Sequence, residues 1–380
     1  MLALTRPLPA PVAACAPAVA RLSLRDFRSY AALELTTDGR PVVLTGPNGA
    51  GKTNLLEALS LLAPGRGLRR ARLADAGRHG AADGWTVAAT IGAAGGEIAV
   101  GTGLAGEGER RAVRLNGADA QPAALAEAFG VAWLTPQMDR LFNEGPGARR
   151  RFMDRIVYAL DSGHAARVSG YERALRERAR LLERGGADPA WLAALEAQMV
   201  ERGVAIAAAR REALARLGRT LAEEAGPFPR AEVGVEGAVE GWLAEGPALE
   251  AEERFAASLK AARRPDAAPE GPHRSDFVAR HAAKGVPASL CSTGEQKALL
   301  IAILLANARL ERARRGMAPL LLLDEAAAHL DAERREALFE ELTAIGAQAW
   351  LTGQEPAPFA PLRGRAQFLA LRNGRIEFEE

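Results

Sequence analysis

Hydrophobic positions in the first third of the chain fall into patterns typical of short strands. Residues 20–24 alternate between apolar and polar side chains, and residues 41–45 form a short apolar run that ends at a glycine. Leucines spaced by three or four residues then predict a helix over residues 53–62. Glycine-punctuated, strand-like segments between residues 84 and 115 predict an antiparallel meander.

The middle of the chain changes to helical periodicity. Between residues 149 and 224, apolar side chains recur at spacings of three, four or eight positions. A turn rich in glycine and proline, residues 185–189, divides this stretch in two. We therefore predict two long helices folded into an antiparallel hairpin, an arm on the order of 50 Å long at ~1.5 Å per residue. The alternative is a plain helical bundle packed on the rest of the protein.

The last third mixes strand and helix patterns, as α/β proteins do. The predicted elements here are strands at 231–235, 320–323 and 349–352 and helices at 248–262, 295–315 and 332–342.

The first 19 residues differ from everything that follows. Four prolines stand among alanines and interrupt the continuous apolar segment that a signal peptide requires. We expect a flexible tail, with ordered sequence from about Val19. The alternative is an unusual targeting segment.

Composition excludes several classes of protein. The chain has 380 residues, of which 48% are hydrophobic, and 49 basic residues against 47 acidic ones give a net charge of +2. This excludes a histone-like protein, so a nucleic-acid surface would have to be a local patch. Two distant cysteines, Cys15 and Cys291, argue against a disulfide framework or zinc site. The longest apolar run has nine residues, too few to span a membrane. We expect a cytosolic protein.

A phosphate-binding loop is the most specific motif. It consists of Gly46, Pro47, Asn48, Gly49, Ala50, Gly51, Lys52 and Thr53, and it fits G-x-x-x-x-G-K-[ST] between a predicted strand and a predicted helix. Lys52 is one of four lysines in a chain that otherwise uses arginine. We expect Lys52 to reach the β- and γ-phosphates of a nucleotide and the Thr53 hydroxyl to bind Mg²⁺. The alternative is an ordinary glycine-rich turn.

Two acidic residues end an apolar strand in the last third. Asp324 follows four leucines directly and is placed to hold Mg²⁺, and Glu325 is placed to orient or deprotonate an attacking water. Glu325 could instead be an N-cap or first-turn acid of the next helix.

A third motif, residues 292–297, precedes a strongly apolar helix. Taken alone it predicts a helix start, with Ser292 as N-cap and Glu295 at the capping-box position. Its position between the phosphate loop and the Asp324-Glu325 pair suggests a second anion-binding helix end.

The order of these motifs resembles the ABC-type ATPases of the SMC-like branch. Within that branch the chain is similar to the RecF family of DNA replication and repair proteins. The segments that carry this likeness are residues 24–30, 65–70, 134–139, 149–154 and 271–276.

The resemblance implies roles for individual residues. Gln137 would sense the γ-phosphate and the metal. Ser292, Gly294 and Gln296 would contact ATP bound by a second copy of the chain, and Asp331 would lie at that junction. Two departures stand out: Glu295 intervenes before Gln296, and residues 352–354 (Thr-Gly-Gln) replace a switch histidine, so hydrolysis is expected to be slow.

The resemblance also implies the domain organisation and the fold. We expect an α/β fold, an ABC-type ATPase head of a P-loop mixed sheet with helices, plus an inserted α-helical hairpin arm. The expected parts are a tail at 1–19, head segments at 20–145 and 270–380, and the arm with its connecting insertion at 146–269.

Basic residues concentrate in two segments. Residues 149–184 carry a net charge of +5 and residues 66–79 one of +4, whereas residues 186–225 carry −1. Arginine clusters of this kind suit sequence-tolerant phosphate contacts. The alternative is that they are solvated faces of an arginine-rich chain.

The function implied by the resemblance is that of an ATP-dependent DNA-binding clamp. ATP would join two heads on single-stranded or gapped DNA, and weak, DNA-dependent hydrolysis would release them. RecO and RecR would be partners in gap repair and the SOS response. The rivals are a transporter-coupling ATPase, a small-molecule P-loop kinase and another SMC-like repair ATPase with longer arms. The separation of 242 positions between Lys52 and Gly294 argues against the transporter-coupling ATPase.

Overall fold

A computed structural model of the chain describes residues 17–81, 84–93, 95–105, 110–185, 188–223, 226–264, 267–328, 330–372 and 375–379. The expected tail falls mostly outside these ranges, as do Cys15 and His329. The first strand begins at Ala18, close to the expected start of ordered sequence at Val19.

The described residues form fifteen β-strands and nine α-helices. The strands are β1 Ala18–Phe27, β2 Tyr30–Thr36, β3 Val42–Thr45, β4 Gly84–Ala93, β5 Gly96–Ala105, β6 Ala112–Leu115, β7 Ala118–Asp119, β8 Val131–Leu134, β9 Ala231–Glu236, β10 Asp276–His281, β11 Val286–Pro287, β12 Leu320–Leu323, β13 Ala349–Thr352, β14 Gln367–Arg372 and β15 Arg375–Glu379. The helices are α1 Lys52–Ser60, α2 Ala124–Ala128, α3 Pro146–Leu160, α4 His164–Arg184, α5 Pro189–Glu223, α6 Ala238–Glu245, α7 Ala248–Ala261, α8 Thr293–Arg315 and α9 Ala332–Ile345.

The chain divides into two compact units. The first consists of Met1–Met138 and Ala308–Glu380, and the second of Asp139–Asn307. The second unit therefore contains more than the expected arm at 146–269. It includes β10, which pairs with β9, and the start of α8.

The first unit contains a mainly parallel sheet with the strand order β15-β14-β3-β13-β12-β8. Only β15 is antiparallel to its neighbour. Every residue of β3, β12 and β13 is buried, as expected for parallel strands that are covered on both faces. Parallel strands bring their carboxyl ends to one edge, so the loops after β3, β8, β12 and β13 meet there.

A second sheet in the same unit is antiparallel and has the order β2-β1-β4-β5-β6-β7. The predicted meander is confirmed as β4, β5 and β6, and the sheet also includes β1 and β2. Leucines of α1 share one hydrophobic core with side chains of both sheets. This burial fixes the helix that follows the phosphate loop.

The helical region of the second unit differs from the prediction in one respect. The first predicted helix is two helices, α3 and α4, separated by residues 161–163. Asp161, Ser162 and Gly163 are poor helix formers, and the Asp161 carboxylate accepts a hydrogen bond from the Gly163 backbone (3.0 Å). Asp161 therefore stabilises a turn where the periodicity alone predicts a continuous helix.

The antiparallel pairing of α4 and α5 is confirmed by contacts along both helices. Arg178 pairs with Glu196 near the turn (3.1 Å), and further along Tyr171 lies against Gly203. Phe255 of α7 packs on the same glycine, and α3 and α6 also contact α5. The hairpin is thus packed into a helical unit rather than standing alone.

A buried carboxylate connects three parts of this unit. Asp154 accepts two hydrogen bonds from Arg210 (2.9 and 3.0 Å) and contacts the His164 ring (2.8 Å). Burial alone would raise the pKa of Asp154, but these partners hold it below its usual value. Arg210 also donates to the Pro272 carbonyl (2.6 Å). The family-like segment 271–276 is therefore anchored on the helices.

Candidate nucleotide-binding site

The phosphate loop connects β3 to α1 and uses backbone conformations that favour glycine. Gly46 and Gly51 have φ angles of 139° and 109°. A Cβ at Gly46 would lie 2.3 Å from the Leu371 carbonyl oxygen, and one at Gly51 would lie 2.5 Å from the Tyr30 hydroxyl. The turn therefore requires both glycines, and it directs the N-terminus of α1 toward the space inside the loop, the arrangement that binds phosphate.

Lys52 is buried within this loop, with only 5% of its surface exposed. Its ammonium donates hydrogen bonds to the carbonyls of Gly46 (2.6 Å) and Pro47 (3.0 Å). Burial lowers the pKa of Lys52, and the negative charges of Glu325 and Asp324 oppose that shift. The loop thus holds a cation beside two acids.

Thr53 and Asp324 lie in contact, 271 positions apart in sequence. The Thr53 hydroxyl is 3.1 Å from each carboxylate oxygen of Asp324. The described part of the chain contains no cluster of three or more His, Cys, Asp or Glu side chains that could hold a metal. One hydroxyl and one carboxylate nevertheless fit Mg²⁺ at a nucleotide, where water and phosphate supply the other ligands.

Glu325 follows in a left-handed conformation, with φ of 51°. Its backbone N–H donates to the Thr352 hydroxyl (2.8 Å), which in turn donates to Asp324 Oδ1 (2.8 Å). The next helix, α9, is capped by Asp331. Glu325 is therefore neither the N-cap nor a first-turn acid of that helix, and this alternative is wrong.

Gln137 and Asp331 occupy different positions relative to the Asp324-Glu325 pair. Gln137 is exposed in the turn directly after β8, whose last residue accepts a hydrogen bond from the Asp324 backbone (2.9 Å). It is thus at the same sheet edge. Asp331 is exposed, and its carboxylate accepts a hydrogen bond from the Arg334 backbone (2.8 Å).

Ser292 begins α8 with the predicted capping box. Its backbone N–H and its hydroxyl both donate to Glu295 Oε2, at 3.1 and 3.0 Å. The Lys284 ammonium pairs with the other oxygen of Glu295. Lys284 and then Ser292 lower the pKa of Glu295 to about 2. The carboxylate of Glu295 therefore occupies the anion-binding end of this helix.

The outer face of this segment is open. Ser292, Thr293 and Gly294 are exposed, as is Leu290, which has 75% of its surface in solvent. A Cβ at Gly294 would meet no atom of the described chain within 4 Å. Packing within the described residues thus gives no reason for a glycine in the first turn of a helix, where it is unfavourable.

Gln296 does not share this exposure. Only 2% of its surface is accessible; its amide donates to the Cys291 carbonyl (2.8 Å) and accepts from Asn143 (3.0 Å). The side chain holds the loop before α8 in place. This geometry disfavours the predicted nucleotide contact of Gln296, which would require both bonds to break.

Part of the predicted basic surface is already neutralised. Arg69 pairs with buried Glu57 (2.9 Å) and Arg78 with Asp26 (2.8 Å), whereas Arg66 and Arg72 are exposed. On α4, four exposed arginines follow one another at spacings of three and four residues and share one helix face. They are Arg173, Arg176, Arg180 and Arg184.

Comparison with known proteins agrees with this fold. The sequence profile of the RecF/RecN/SMC N terminal domain matches residues 18–352. Fold and phosphate loop thus define a head of the RecF/RecN/SMC class. A solved structure described as the recombination mediator protein RecF-ATPrS in the RecFOR pathway superposes with a TM-score of 0.82. It is 20% identical, over 96% of this chain and 99% of that one.

Relatives in sequence define the family more narrowly. The DNA replication and repair protein RecF of Mesorhizobium japonicum is 50% identical over 369 residues, 94% of this chain and 97% of the relative. The RecF protein of Rhizobium etli strain CIAT 652 is 47% identical, over 94% of this chain and 98% of the relative. The chain belongs to the RecF family of DNA replication and repair proteins. Among the described residues, no helix is long and apolar enough to cross a membrane.

Proposed function

We propose that this protein is an ATP-switched DNA-binding protein of recombinational gap repair, replication-fork maintenance and SOS induction. It binds ATP and Mg²⁺, pairs head to head with a second copy on single-stranded or gapped DNA, and leaves after slow, DNA-dependent hydrolysis. It acts in the cytoplasm with RecO and RecR as partners. The observation that carries this proposal is the contact of Thr53 with Asp324 beside the loop that holds Lys52.

Each side chain of the nucleotide site has its own proposed role. Lys52 would exchange its two loop carbonyls for phosphate oxygens, and Thr53 and Asp324 would hold Mg²⁺. The metal, when bound, neutralises charge on the phosphates. Glu325 orients the attacking water and takes its proton. Gln137 lies at the same edge, where it reports whether the γ-phosphate is present.

The segment at the start of α8 is proposed as the contact to a second copy. Its exposed hydroxyl, its open glycine and the apolar side chain of Leu290 suit an interface rather than free solvent. Asp331 is proposed to contact the second copy as well. Because each chain has one loop and one such helix end, a twofold pair completes two sites at once.

Binding the partner's nucleotide requires an exchange at Ser292. Its hydroxyl and N–H are occupied by Glu295 in this structure. Glu295 would give up these two donors to a γ-phosphate, and Lys284 would remain the ion-pair partner of Glu295. Gln296 keeps the loop rigid through its buried amide, so it positions Ser292 rather than touching phosphate.

The arginine row of α4 is proposed as a DNA-contacting surface. Its side chains repeat about once per helical turn, and all four are exposed. The pair between Arg176 and Glu172 is long (3.6 Å) and exposed, so it contributes little. Arg66 and Arg72 add a second contact surface.

We expect DNA affinity to fall steeply with salt and to depend little on sequence. Replacing Arg173, Arg180 and Arg184 by glutamine should reduce the log–log salt slope by up to about three, roughly one per lost phosphate contact. Fluorescence anisotropy of a labelled gapped duplex, with ATP and with ADP, measures this slope.

The matched control removes three arginines from α5, namely Arg211, Arg216 and Arg219. It changes net charge equally and should leave the slope near that of the parent. Equal slopes for both triple variants would exclude a local contact surface on α4. Equal affinity with ATP and ADP would contradict the nucleotide switch.

A further inference from the structure

A segment made of Thr352, the last residue of β13, and the two residues that follow it is hydrogen-bonded to both halves of the proposed site. β13 lies between β3, which leads into the phosphate loop, and β12, which leads into the acidic pair. The Gly353 N–H donates to the Leu44 carbonyl (3.0 Å), and the Gly46 N–H donates to the Gln354 carbonyl (3.2 Å). One side of this segment is therefore fastened to the entry of the phosphate loop.

The other side is fastened through a single hydroxyl. Thr352, which is 1% exposed, donates to Asp324 Oδ1 and accepts from the Glu325 N–H, both at 2.8 Å. A threonine hydroxyl has one hydrogen to donate, and here it goes to Asp324. The group is thus committed within the protein and is not available as a sensor of phosphate.

The backbone around Thr352 allows little adjustment. A Cβ at Gly353 would lie 2.4 Å from the Phe359 ring, so the ring closes over the segment and holds it against the sheet. Glu325 adopts a left-handed conformation, which for a residue with a side chain persists only where surrounding contacts impose it. The hydrogen bond from Glu325 to Thr352 is such a contact.

We infer that Thr352 is a positioning residue for the Asp324-Glu325 pair. The Thr352 hydroxyl orients the Asp324 carboxylate, which would hold Mg²⁺. It also fixes the backbone of Glu325 so that the Glu325 side chain meets the attacking water. The segment also ties this pair to the phosphate loop, so that the distance between metal ligand and phosphate is preset. This inference rests on the proposed nucleotide site and adds a residue to it.

Two replacements separate the hydroxyl from the shape of the side chain. Thr352→Val keeps the branched form but removes both hydrogen bonds, whereas Thr352→Ser keeps the hydroxyl and removes a methyl. Partners of metal ligands contribute about 10–100-fold to metal affinity or activity. We expect Thr352→Val to lower kcat by about that factor, to leave KM for ATP near the parental value, and Thr352→Ser to restore kcat.

A binding measurement gives a readout that is independent of turnover. The Mg²⁺ concentration needed for half-maximal binding of a fluorescent ATP analogue should rise by about 10-fold or more in Thr352→Val and should stay near the parental value in Thr352→Ser. Melting temperatures without nucleotide show whether each variant is folded. If Thr352→Val does not fold, Thr352→Ala takes its place with the same expected result.

A folded valine or alanine variant with parental kcat and parental Mg²⁺ requirement would overturn the inference. So would a serine variant that loses as much kcat as valine, because the methyl would then be the important group. If the parent itself binds no ATP analogue, the proposed function fails instead. ATP-analogue binding by the parent thus distinguishes failure of this inference from failure of the proposed function.

Discussion

Replacement of Glu325 by glutamine is expected to slow ATP hydrolysis by about 10²–10⁴-fold, the usual contribution of a general base. Glutamine has nearly the same shape but cannot take a proton from water. The hydrogen bond to Thr352 comes from the backbone of residue 325, so it survives the change. ATP binding should therefore stay near the parental value, and steady-state phosphate release should nearly disappear.

Glu253→Gln is a matched control, because Glu253 is exposed on α7 in the other unit. It should hydrolyse ATP at the parental rate. Hydrolysis by Glu325→Gln at that same rate would assign the water-orienting role to another residue.

The second large effect is expected at Lys52. In Lys52→Ala the ammonium is lost, and with it two or more charge-assisted bonds to phosphate, each worth roughly 1.5–3 kcal/mol. Affinity for a fluorescent ATP analogue should fall by on the order of 10²-fold or more. The fold should persist, since β3 and the leucines of α1 are held by the core.

Lys260→Ala is the matched control, because Lys260 is an exposed lysine of α7. Equilibrium titration of parent and both variants, with circular dichroism to verify folding, decides the assignment. Near-parental affinity in folded Lys52→Ala would show that nucleotide is bound elsewhere or not at all.

Local patterns in the sequence predicted the parts of the fold that depend on local physics. The loop from Gly46 to Thr53, the leucine strand before Asp324 and the capping box at Ser292 depend on neighbouring residues, and the structure has all three elements. β2, β8, β10, β14 and β15 were not predicted. β8, β10 and β14 pair with strands distant in the chain, whereas β2 and β15 pair with their neighbours β1 and β14. All five are short segments of four to seven residues, which gave little signal.

The site shows the same division between local and distant effects. The sequence predicted Thr53 and Asp324 as metal ligands, but their contact is a consequence of strand order. Thr352 stood out only as a replacement for a histidine, and its bonds to the acidic pair depend on β13 lying beside β12. Arg69 counted toward the predicted basic patch, yet Glu57, its buried partner, cannot be identified by counting charges along the chain.

The arm prediction failed at one turn for a related reason. Apolar spacing continues across residues 161–163 as though α3 and α4 were one helix. The Asp161 side chain competes locally by bonding the backbone of Gly163. Periodicity reports which face is buried and is insensitive to such a break.

The central claim is that ATP joins two copies of the chain through Ser292. In the Glu325→Gln background, where nucleotide is retained, sedimentation velocity should show a dimer with ATP and a monomer with ADP. Adding Ser292→Arg should leave ATP binding intact but abolish the dimer, because the bulky cation fills the exposed helix end. Ser169→Arg, at an exposed serine of α4, should dimerise normally. A Ser292→Arg protein that dimerises with ATP as readily as its background would contradict the account, since Ser292 would then be only a helix cap.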